Sequence, residues 1–197
     1  MAGISRSRPT FAPGAFTHLA CDLADEAALA AALDAAGAVD AIVHAAGVLR
    51  VGGVAALDRV DGRAMWRLHV DAAVQIVARL APGMADGGRI VLVGSRAAGG
   101  VAGRSQYGAS KAALLGLARS WAAELVPRRI TVNVVAPGAT DTPMLRDPAR
   151  SSAPPRTPPM GRFVRPEEIA GLVAFLLSDD AASLTGQQIV VCGGASL

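Results

Sequence analysis

The apolar positions of this chain fall into short continuous runs that alternate with longer, alanine-rich or amphipathic stretches. The short runs predict strands at Ala2–Ser5, His18–Asp22, Asp40–His44, Arg89–Gly94, Ile130–Val135 and Gln187–Val191. The longer stretches predict helices at Ala24–Ala36, Arg63–Leu80, Tyr107–Leu125 and Pro166–Leu177. Strands that alternate with helices favour an α/β fold built on a parallel sheet.

Capping residues mark the ends of two predicted helices. Asp22 is a candidate N-cap for the first helix, and Gly37 is expected to end it. Pro166 begins the last helix, where Glu167 and Glu168 fall in the first turn and complement the helix dipole.

The segment Arg146–Arg165 interrupts the alternation. It is rich in proline, arginine and serine, and it is long for a plain connection. Two interpretations are open: a mobile loop on the substrate side of a binding site, or disorder without a function.

Length and composition indicate one folded domain over residues 1–197, since 52% of the residues are hydrophobic and 18% are charged. No apolar run reaches membrane-spanning length, and the N-terminus has no signal-peptide pattern. The two cysteines, Cys21 and Cys192, lie in apolar runs and are expected to pack rather than to form a disulfide. These features predict a cytoplasmic protein.

The net charge of +3 raises the question of nucleic-acid binding. The arginines are scattered along the chain, however, and no RNA- or DNA-binding motif is present. We predict that the chain binds neither nucleic acid nor a membrane, and we predict no metal site.

The basic residues single out one position. Lys111 is the only lysine among 19 Lys and Arg residues, and the only tyrosine, Tyr107, lies four residues before it. This spacing puts both side chains on one face of a helix. A cation beside a phenol favours the phenolate, so we expect Lys111 to lower the pKa of Tyr107 from about 10. Such a tyrosine can give a proton to a carbonyl being reduced or take one from an alcohol being oxidised.

Ser95 follows the Arg89–Gly94 run, at the carboxyl end of a predicted strand, where open α/β sheets bind ligands. Its hydroxyl can hydrogen-bond to a substrate oxygen and polarise it. Alone, Ser95 could cap a turn and Tyr107 could open a helix. Together with Lys111 they favour a carbonyl/alcohol oxidoreductase site.

Five segments resemble the classical branch of the short-chain dehydrogenase/reductase family. Ser95 with Tyr107-Gly-Ala-Ser-Lys111 is similar to the Ser…Tyr-x-x-x-Lys active site of that family. The other segments are His44-Ala-Ala-Gly47, Asn133-Val-Val-Ala-Pro-Gly-Ala-Thr-Asp-Thr-Pro-Met144, Gly161-Arg-Phe…Pro166-Glu-Glu168 and Thr185-Gly-Gln…Gly193-Gly194. The pattern is most similar to 3-oxoacyl reductases, and it implies a Rossmann-like, doubly wound parallel sheet.

The resemblance also implies a nicotinamide cofactor. Tyr107 would move the proton while hydride passes to or from a carbonyl carbon, and Lys111 would hold the nicotinamide ribose. The other residues that the resemblance assigns to the cofactor are Asp22, Leu23, Ala45, Ala46, Gly47, Pro137, Gly138, Thr140 and Thr142.

Arg6 follows the first strand, where an acidic residue would bind the ribose 2′-hydroxyl and an arginine suits a 2′-phosphate. NADP is therefore favoured over NAD, although Arg6 and Arg8 could simply be solvated.

One departure from the family concerns the N-terminal part of the fold. The opening strand and the glycine-rich turn, Thr-Gly-x-x-x-Gly-x-Gly, are not found, and Ala2–Ser5 resembles the second strand of the family. The expected fold is thus a truncated one without the first strand–turn–helix unit, whose turn would hold the cofactor diphosphate. Three outcomes are open: Ala2–Ser5 takes the vacant central place, the two halves of the sheet close up, or the native protein begins upstream of Met1.

A second departure is His69, which stands where the family has an asparagine in a proton relay. A histidine that titrates near neutral pH could serve there, or His69 could be a helix-face residue without a function.

Two functions remain open. The first is an NADP-preferring oxidoreductase that interconverts a ketone and a secondary alcohol, with Tyr107 as general acid/base and Ser95, Lys111 and His69 as its partners. The second is a degenerate or truncated family member without catalysis, which serves as a subunit or has no function. The resemblance also predicts a homodimer or homotetramer through the two long helices, whereas no motif identifies the carbonyl or alcohol substrate.

Overall fold

The computed structural model describes residues 1–10 and 14–197, and strands and helices alternate along them. The strands are β1 Ala2–Ser5, β2 Thr17–Ala20, β3 Ala41–His44, β4 Arg89–Val93, β5 Thr131–Pro137 and β6 Gln188–Val191. The helices are α1 Glu26–Ala36, α2 Arg59–Trp66, α3 Ala72–Leu80, α4 Ser105–Leu125 and α5 Pro166–Leu177. The predicted α/β class is confirmed.

The strands form two parallel sheets instead of one. β1 pairs with β2 in the first sheet, and β3, β4, β5 and β6 follow one another in the second. Within the described residues, no ladder joins the β1–β2 pair to β3. Two predicted outcomes are therefore wrong: Ala2–Ser5 does not take the central place, and the halves do not close up.

The shared hydrophobic core explains how the two sheets hold their places without a common ladder. Ile4 of β1 and Leu19 of β2 pack against the same cluster that buries Ile42 of β3. Side-chain burial on this cluster positions each sheet, because apolar contact needs no hydrogen bond between the strand edges.

Helices cover both faces of the larger sheet. Ile90 and Leu92 of β4 belong to the main cluster with residues of α1, α3 and α4, whereas Val91 packs in a smaller cluster with Leu176 of α5. Alternate residues of a strand point to opposite faces, so β4 is buried on both sides. This is the doubly wound arrangement that the sequence predicts.

The start of α1 differs from the prediction. Asp25, not Asp22, is its N-cap, and its carboxylate accepts a hydrogen bond from the Ala28 amide at 3.0 Å. Asp22 accepts one from the Ala24 amide at 3.0 Å in the preceding turn. An N-cap oxygen must reach the second or third amide of its helix, and only Asp25 is placed to do so. Gly37 ends α1 with a φ of 68°, as predicted.

The helix predicted at Arg63–Leu80 is longer and interrupted. It begins at Arg59, behind the N-cap Asp58, and α2 and α3 are joined by a π-helical turn at Arg67–Asp71. The Ala72 amide donates to the Arg67 carbonyl, five residues back. Such wider turns often occur at functional sites, and this one carries His69.

Both cysteines are buried and free, which confirms that they pack in the interior. None of the helices in the described ranges is both long and apolar enough to cross a membrane.

Candidate active site

A cleft of about 1180 Å³ opens at the carboxyl ends of β3, β4 and β5. Ser95, Tyr107 and Lys111 all contribute to its walls, as the sequence predicts. Ser95 follows β4, and the other two residues project from the first turns of α4. The fold thus brings a strand end and a helix start together at the edge where parallel sheets bind ligands.

The predicted cofactor residues divide into two groups. Those that line the cleft are Ala45, Gly47, Tyr107, Lys111, Pro137, Gly138, Thr140 and Thr142. Those that do not are Arg6, Asp22, Leu23 and Ala46. Arg6 and Asp22 lie exposed at the carboxyl ends of β1 and β2, which belong to the separate sheet, and Leu23 packs partly against the main core. For these residues a role in cofactor binding stays a prediction.

Burial controls the pKa of Tyr107. Loss of solvent raises it above its ordinary value of 10, and the Ser95 hydroxyl, followed by Arg104 and Arg150, opposes this rise. The expectation that Lys111 lowers the pKa of Tyr107 is wrong. The Lys111 ammonium donates instead to the Val93 carbonyl, and the lowering comes from other groups.

Lys111 is almost completely buried, with 4% of its surface exposed. Its Nζ donates to the Val93 carbonyl oxygen at 2.8 Å. Burial lowers the pKa of its ammonium to about 8, so the charged form still prevails near neutral pH. An ammonium has three N–H donors, so two remain for a ligand in the cleft.

His69 lies behind the cleft and joins three elements. Its Nε2 accepts from the Val48 amide at 3.0 Å, which leaves the ring hydrogen on Nδ1. Nδ1 then donates to Ser110 Oγ at 2.9 Å, and Ser110 in turn donates to the Tyr107 carbonyl at 2.9 Å. The His69 ring also meets the Tyr107 ring edge-on, at 5.6 Å between centroids.

The expectation that His69 titrates near neutral pH is wrong. Burial, and then the charge of Lys111, lower its pKa to about 3. The Nε2 atom also accepts from the Val48 amide, and this hydrogen bond requires the neutral ring. His69 is therefore neutral, and it contacts both Tyr107 and the chain after β3. A part in proton transfer stays a prediction.

Gly47 shows how closely the segment after β3 passes His69 and Lys111. A Cβ at this position would come within 3.1 Å of His69 Nε2 and 3.4 Å of Lys111 Nζ. The small residue lets the strand end lie directly against both groups.

Ser95 combines the two roles that the sequence left open. Its hydroxyl accepts from the Ala97 amide at 3.1 Å and so caps the following turn. It also lowers the pKa of Tyr107, against the effect of burial. The turn therefore fixes the hydroxyl beside the phenol.

Sequence reasoning missed three residues near this site. His44 is buried next to Lys111, and its Nε2 has no hydrogen-bond partner among the described residues. Arg104 and Arg150 line the cleft beside Tyr107. His44 could have been found from the sequence, because it lies at the end of a predicted strand. Arg104 and Arg150 could not, because 46 positions separate them and nothing in the sequence pairs them.

The segment Arg146–Arg165 contributes a wall of the cleft through Arg150, Pro159 and residues 152–157. This supports the interpretation as a substrate-side loop. Its predicted mobility stays a prediction.

A nicotinamide–ribose group fits the inner part of the cleft. Lys111 has two further N–H donors. The half-buried hydroxyl-bearing residues Thr140 and Thr142 follow β5 and line the cleft. Within the described residues, no glycine-rich turn offers amides to a diphosphate. The fit therefore extends to the nicotinamide half only.

Comparison with known proteins agrees with this geometry. The family model described as enoyl-(acyl carrier protein) reductase matches residues 7–196. The 3-oxoacyl-[acyl-carrier-protein] reductase of Thermotoga maritima is 37% identical over 164 residues, which cover 80% of this chain and 66% of that protein. The 2-keto-3-deoxy-L-fuconate dehydrogenase of Xanthomonas campestris is 33% identical over 195 residues, with 92% of this chain and 65% of that protein covered. The chain thus spans about two thirds of the length of these relatives.

Solved structures give the same result. A short-chain dehydrogenase/reductase from Serratia marcescens superimposes with a TM-score of 0.81 at 36% identity, over 93% of this chain and 80% of that one. A blue fluorescent protein from a metagenomic library, in complex with NADPH, gives a TM-score of 0.85 at 34% identity, over 92% of this chain and 76% of the other. With a cleft that joins Ser95, Tyr107 and Lys111 at the edge of a doubly wound sheet, this chain belongs to the short-chain dehydrogenase/reductase family.

Proposed function

We propose that this chain is an NAD(P)-dependent oxidoreductase that interconverts a ketone and a secondary alcohol. The observation that carries the proposal is the meeting of the Tyr107 phenol, the Ser95 hydroxyl and the Lys111 ammonium in one cleft. The family relatives are named as reductases and dehydrogenases, which supports the reaction class.

The chain's own residues handle the oxygen and the proton. Ser95 and Tyr107 hydrogen-bond to the carbonyl oxygen, and Tyr107 gives it a proton on reduction or takes that proton back on oxidation. A raised pKa keeps the phenol protonated, which suits the donor role. When bound, a reduced nicotinamide supplies the hydride to the carbonyl carbon. Lys111 holds the ribose through its free N–H groups, and the His69–Ser110 pair keeps Tyr107 in place.

Within this proposal NADP is preferred over NAD. Arg6 is exposed where β1 ends, and a guanidinium there suits a 2′-phosphate. One similar solved protein is in complex with NADPH, which is consistent with this preference. The relatives differ in substrate by name, from a 3-oxoacyl carrier protein to a deoxy sugar acid, so they point to no single substrate.

Cofactor binding is the first test. We expect NADPH to raise the melting temperature of the 197-residue chain and to change the fluorescence of its two tryptophans. The reason is that any ligand that binds only the folded state stabilises it. An unchanged melting temperature at millimolar NADPH contradicts the enzyme proposal.

The second test removes the proton donor. We expect Tyr107→Phe to lower turnover of a ketone by about 10²- to 10⁴-fold, because this variant lacks the hydroxyl proposed to protonate the oxygen. NADPH affinity, measured by fluorescence titration, is expected to stay within a factor of about three of the unmodified chain. Full activity in this variant would show that the proton comes from another group.

A non-catalytic family member remains the second candidate. It is favoured by one sequence feature, the lack of a glycine-rich diphosphate turn in these 197 residues. In that case we expect neither NADPH binding nor turnover, and association through the long helices would be the measurable property. A homodimer or homotetramer stays a prediction under either function.

A further inference from the structure

We propose that the cleft selects small oxo or hydroxy carboxylates, whose carboxylate binds Arg104 and Arg150 while the reacting oxygen lies at Tyr107. This inference rests on the proposed oxidoreductase function and names its substrate class.

Arg104 stands directly before α4 and lines the cleft. Its Nη2 donates to the Ala153 carbonyl at 3.1 Å. Its Nε–H is buried and has no acceptor within the described ranges. The guanidinium is therefore held in place by the loop while part of its donor capacity is unused.

Arg150 lines the same cleft and lies on the loop that follows β5. Only 6% of its surface is exposed, and its Nη1 donates to the Met144 carbonyl at 2.9 Å. Its Nε–H is also buried without an acceptor among the residues described. Asp147 lies close enough to favour the charged form of Arg150 and so offsets part of its charge.

The two guanidiniums repel each other. Burial, and then the charge of Arg150, lower the pKa of Arg104. Across the described part of the chain, no salt bridge joins either arginine to an acidic side chain, whereas exposed arginines such as Arg146 and Arg162 form one. Arg150 is buried, Arg104 is half-buried, and each has a buried Nε–H without an acceptor. Two cations placed in this way are costly unless an anion joins them, so the arrangement is that of an anion site.

The site lies beside the reacting group. Both arginines lower the pKa of Tyr107, which means that the phenol lies within the electrostatic field of each. Both arginines and Tyr107 line the same cleft, and Arg104 stands directly before the helix that carries Tyr107. A carboxylate held by the arginines and a carbonyl held at Tyr107 can therefore belong to one small molecule. A planar carboxylate suits guanidinium groups, because each of its oxygens can accept from a separate N–H.

The test compares matched acids and esters. Turnover with NADPH is measured for acetoacetate and levulinate against their methyl esters, which keep the ketone and remove the charge. We expect kcat/KM to favour the acids by about 10- to 100-fold, the range of a hydrogen bond to a charged group. We expect Arg150→Met to remove this preference, because it lowers the kcat/KM of the acids at least about tenfold more than that of the esters.

Controls separate charge, folding and cofactor effects. Arg63→Met makes the same charge change on the exposed face of α2 and is expected to keep the preference for acids. The melting temperature of Arg150→Met is expected to equal or exceed that of the unmodified chain, because a buried cation is removed. If this variant does not fold, Arg104→Met gives the same test from the other side of the site.

Three results would overturn the inference. Esters could turn over as fast as acids; Arg150→Met could slow both equally; or Arg150→Met could weaken NADPH binding, which would make the cofactor phosphates the anion. If neither acids nor esters turn over, the proposed function fails. Calorimetric titration of the cofactor-free chain with acetoacetate then decides the anion site alone: binding that Arg150→Met abolishes supports it, and no binding refutes it.

Discussion

The charges at the site are set by burial more than by neighbours. His44, His69 and Lys111 form a buried group in which every member has a lowered pKa, of about 4, 3 and 8 respectively. Near neutral pH both histidines are therefore neutral and Lys111 is mostly charged. The group therefore carries one positive charge, on Lys111, whereas three positive charges at this distance would repel one another.

This arrangement predicts how stability depends on pH. In the unfolded chain both histidines take up protons below about pH 6.5, whereas His44 and His69 resist protonation in the folded state. Stability is therefore fully present above pH 6.5 and is lost as the pH falls toward 4. We expect a loss of about 1.4 kcal/mol per pH unit for each histidine, measured by urea unfolding between pH 7 and 5.

Two variants test the assignment. His69→Asn is expected to reduce the slope by about half, since one of the two groups is gone. His44→Asn is expected to reduce the slope in the same way, since it removes the other group. If the unfolding free energy of His69→Asn and of the unmodified chain fell with the same slope as the pH is lowered, this account would be contradicted.

At this scale the sequence predicts the identity of the reactive groups more reliably than their pKa values. Tyr107 and Lys111 stand out because each is unique and their spacing matches a helix face. The direction of the Tyr107 pKa could not be predicted, because it depends on burial and on Ser95, Arg104 and Arg150. Those contacts exist only after folding.

Among the elements, β5 is tied to the segment before β6 by a buried side chain. Asn133 is fully buried, and its side chain faces the segment before β6 instead of the cleft. Its Nδ2 donates to the Leu184 carbonyl at 2.7 Å, and its Oδ1 accepts from the Gln187 amide at 3.1 Å. The residue thus fastens the start of β6 to β5.

We expect Asn133→Ala to destabilise the fold by about 2–4 kcal/mol, because two buried backbone groups lose their partners. Chemical unfolding measures this loss, and NADPH affinity below the transition is expected to be unchanged. Gln187→Ala is the control, since its exposed side chain bonds only to the nearby Thr185 carbonyl. A weakened NADPH affinity with normal stability would instead place Asn133 in the cofactor site.

Element boundaries were predictable where the pattern is strong. β1 and α5 match the predicted bounds, and β4 differs by one residue at its end. The π-helical turn at Arg67–Asp71 was not predictable, because its wider winding accompanies contacts of His69 with Val48 and Ser110 from distant parts of the chain. Local periodicity carries no information about such contacts.

At the scale of the whole molecule, the division into two sheets implies unequal local stability. The β1–β2 sheet has only two strands, and none of the residues of β1 is fully buried. The four residues from Arg89 to Leu92 are all buried in the second sheet. Two-stranded sheets are marginal on their own, so the smaller sheet depends on its contact with the shared core.

Hydrogen exchange tests this difference. We expect amides of β1 and β2 to exchange at least about 100-fold faster than those of β4 and β5, because small openings release them without global unfolding. Mass-spectrometric exchange at neutral pH measures both regions in one experiment. Equal protection across the two sheets would show that they unfold as one unit.

The uniqueness of Tyr107 gives this protein a built-in optical label. Ionisation of a phenol changes its ultraviolet absorbance, indole does not titrate in the same range, and no second tyrosine contributes to that change. A spectrum recorded against pH is therefore the titration curve of one reactive group. Lys111 offers the chemical counterpart, because a reagent selective for amines meets no other side-chain amine. Chromophore and reactive amine coincide with the two residues whose protonation matters most, so the chemistry of the cleft can be followed without any engineered probe.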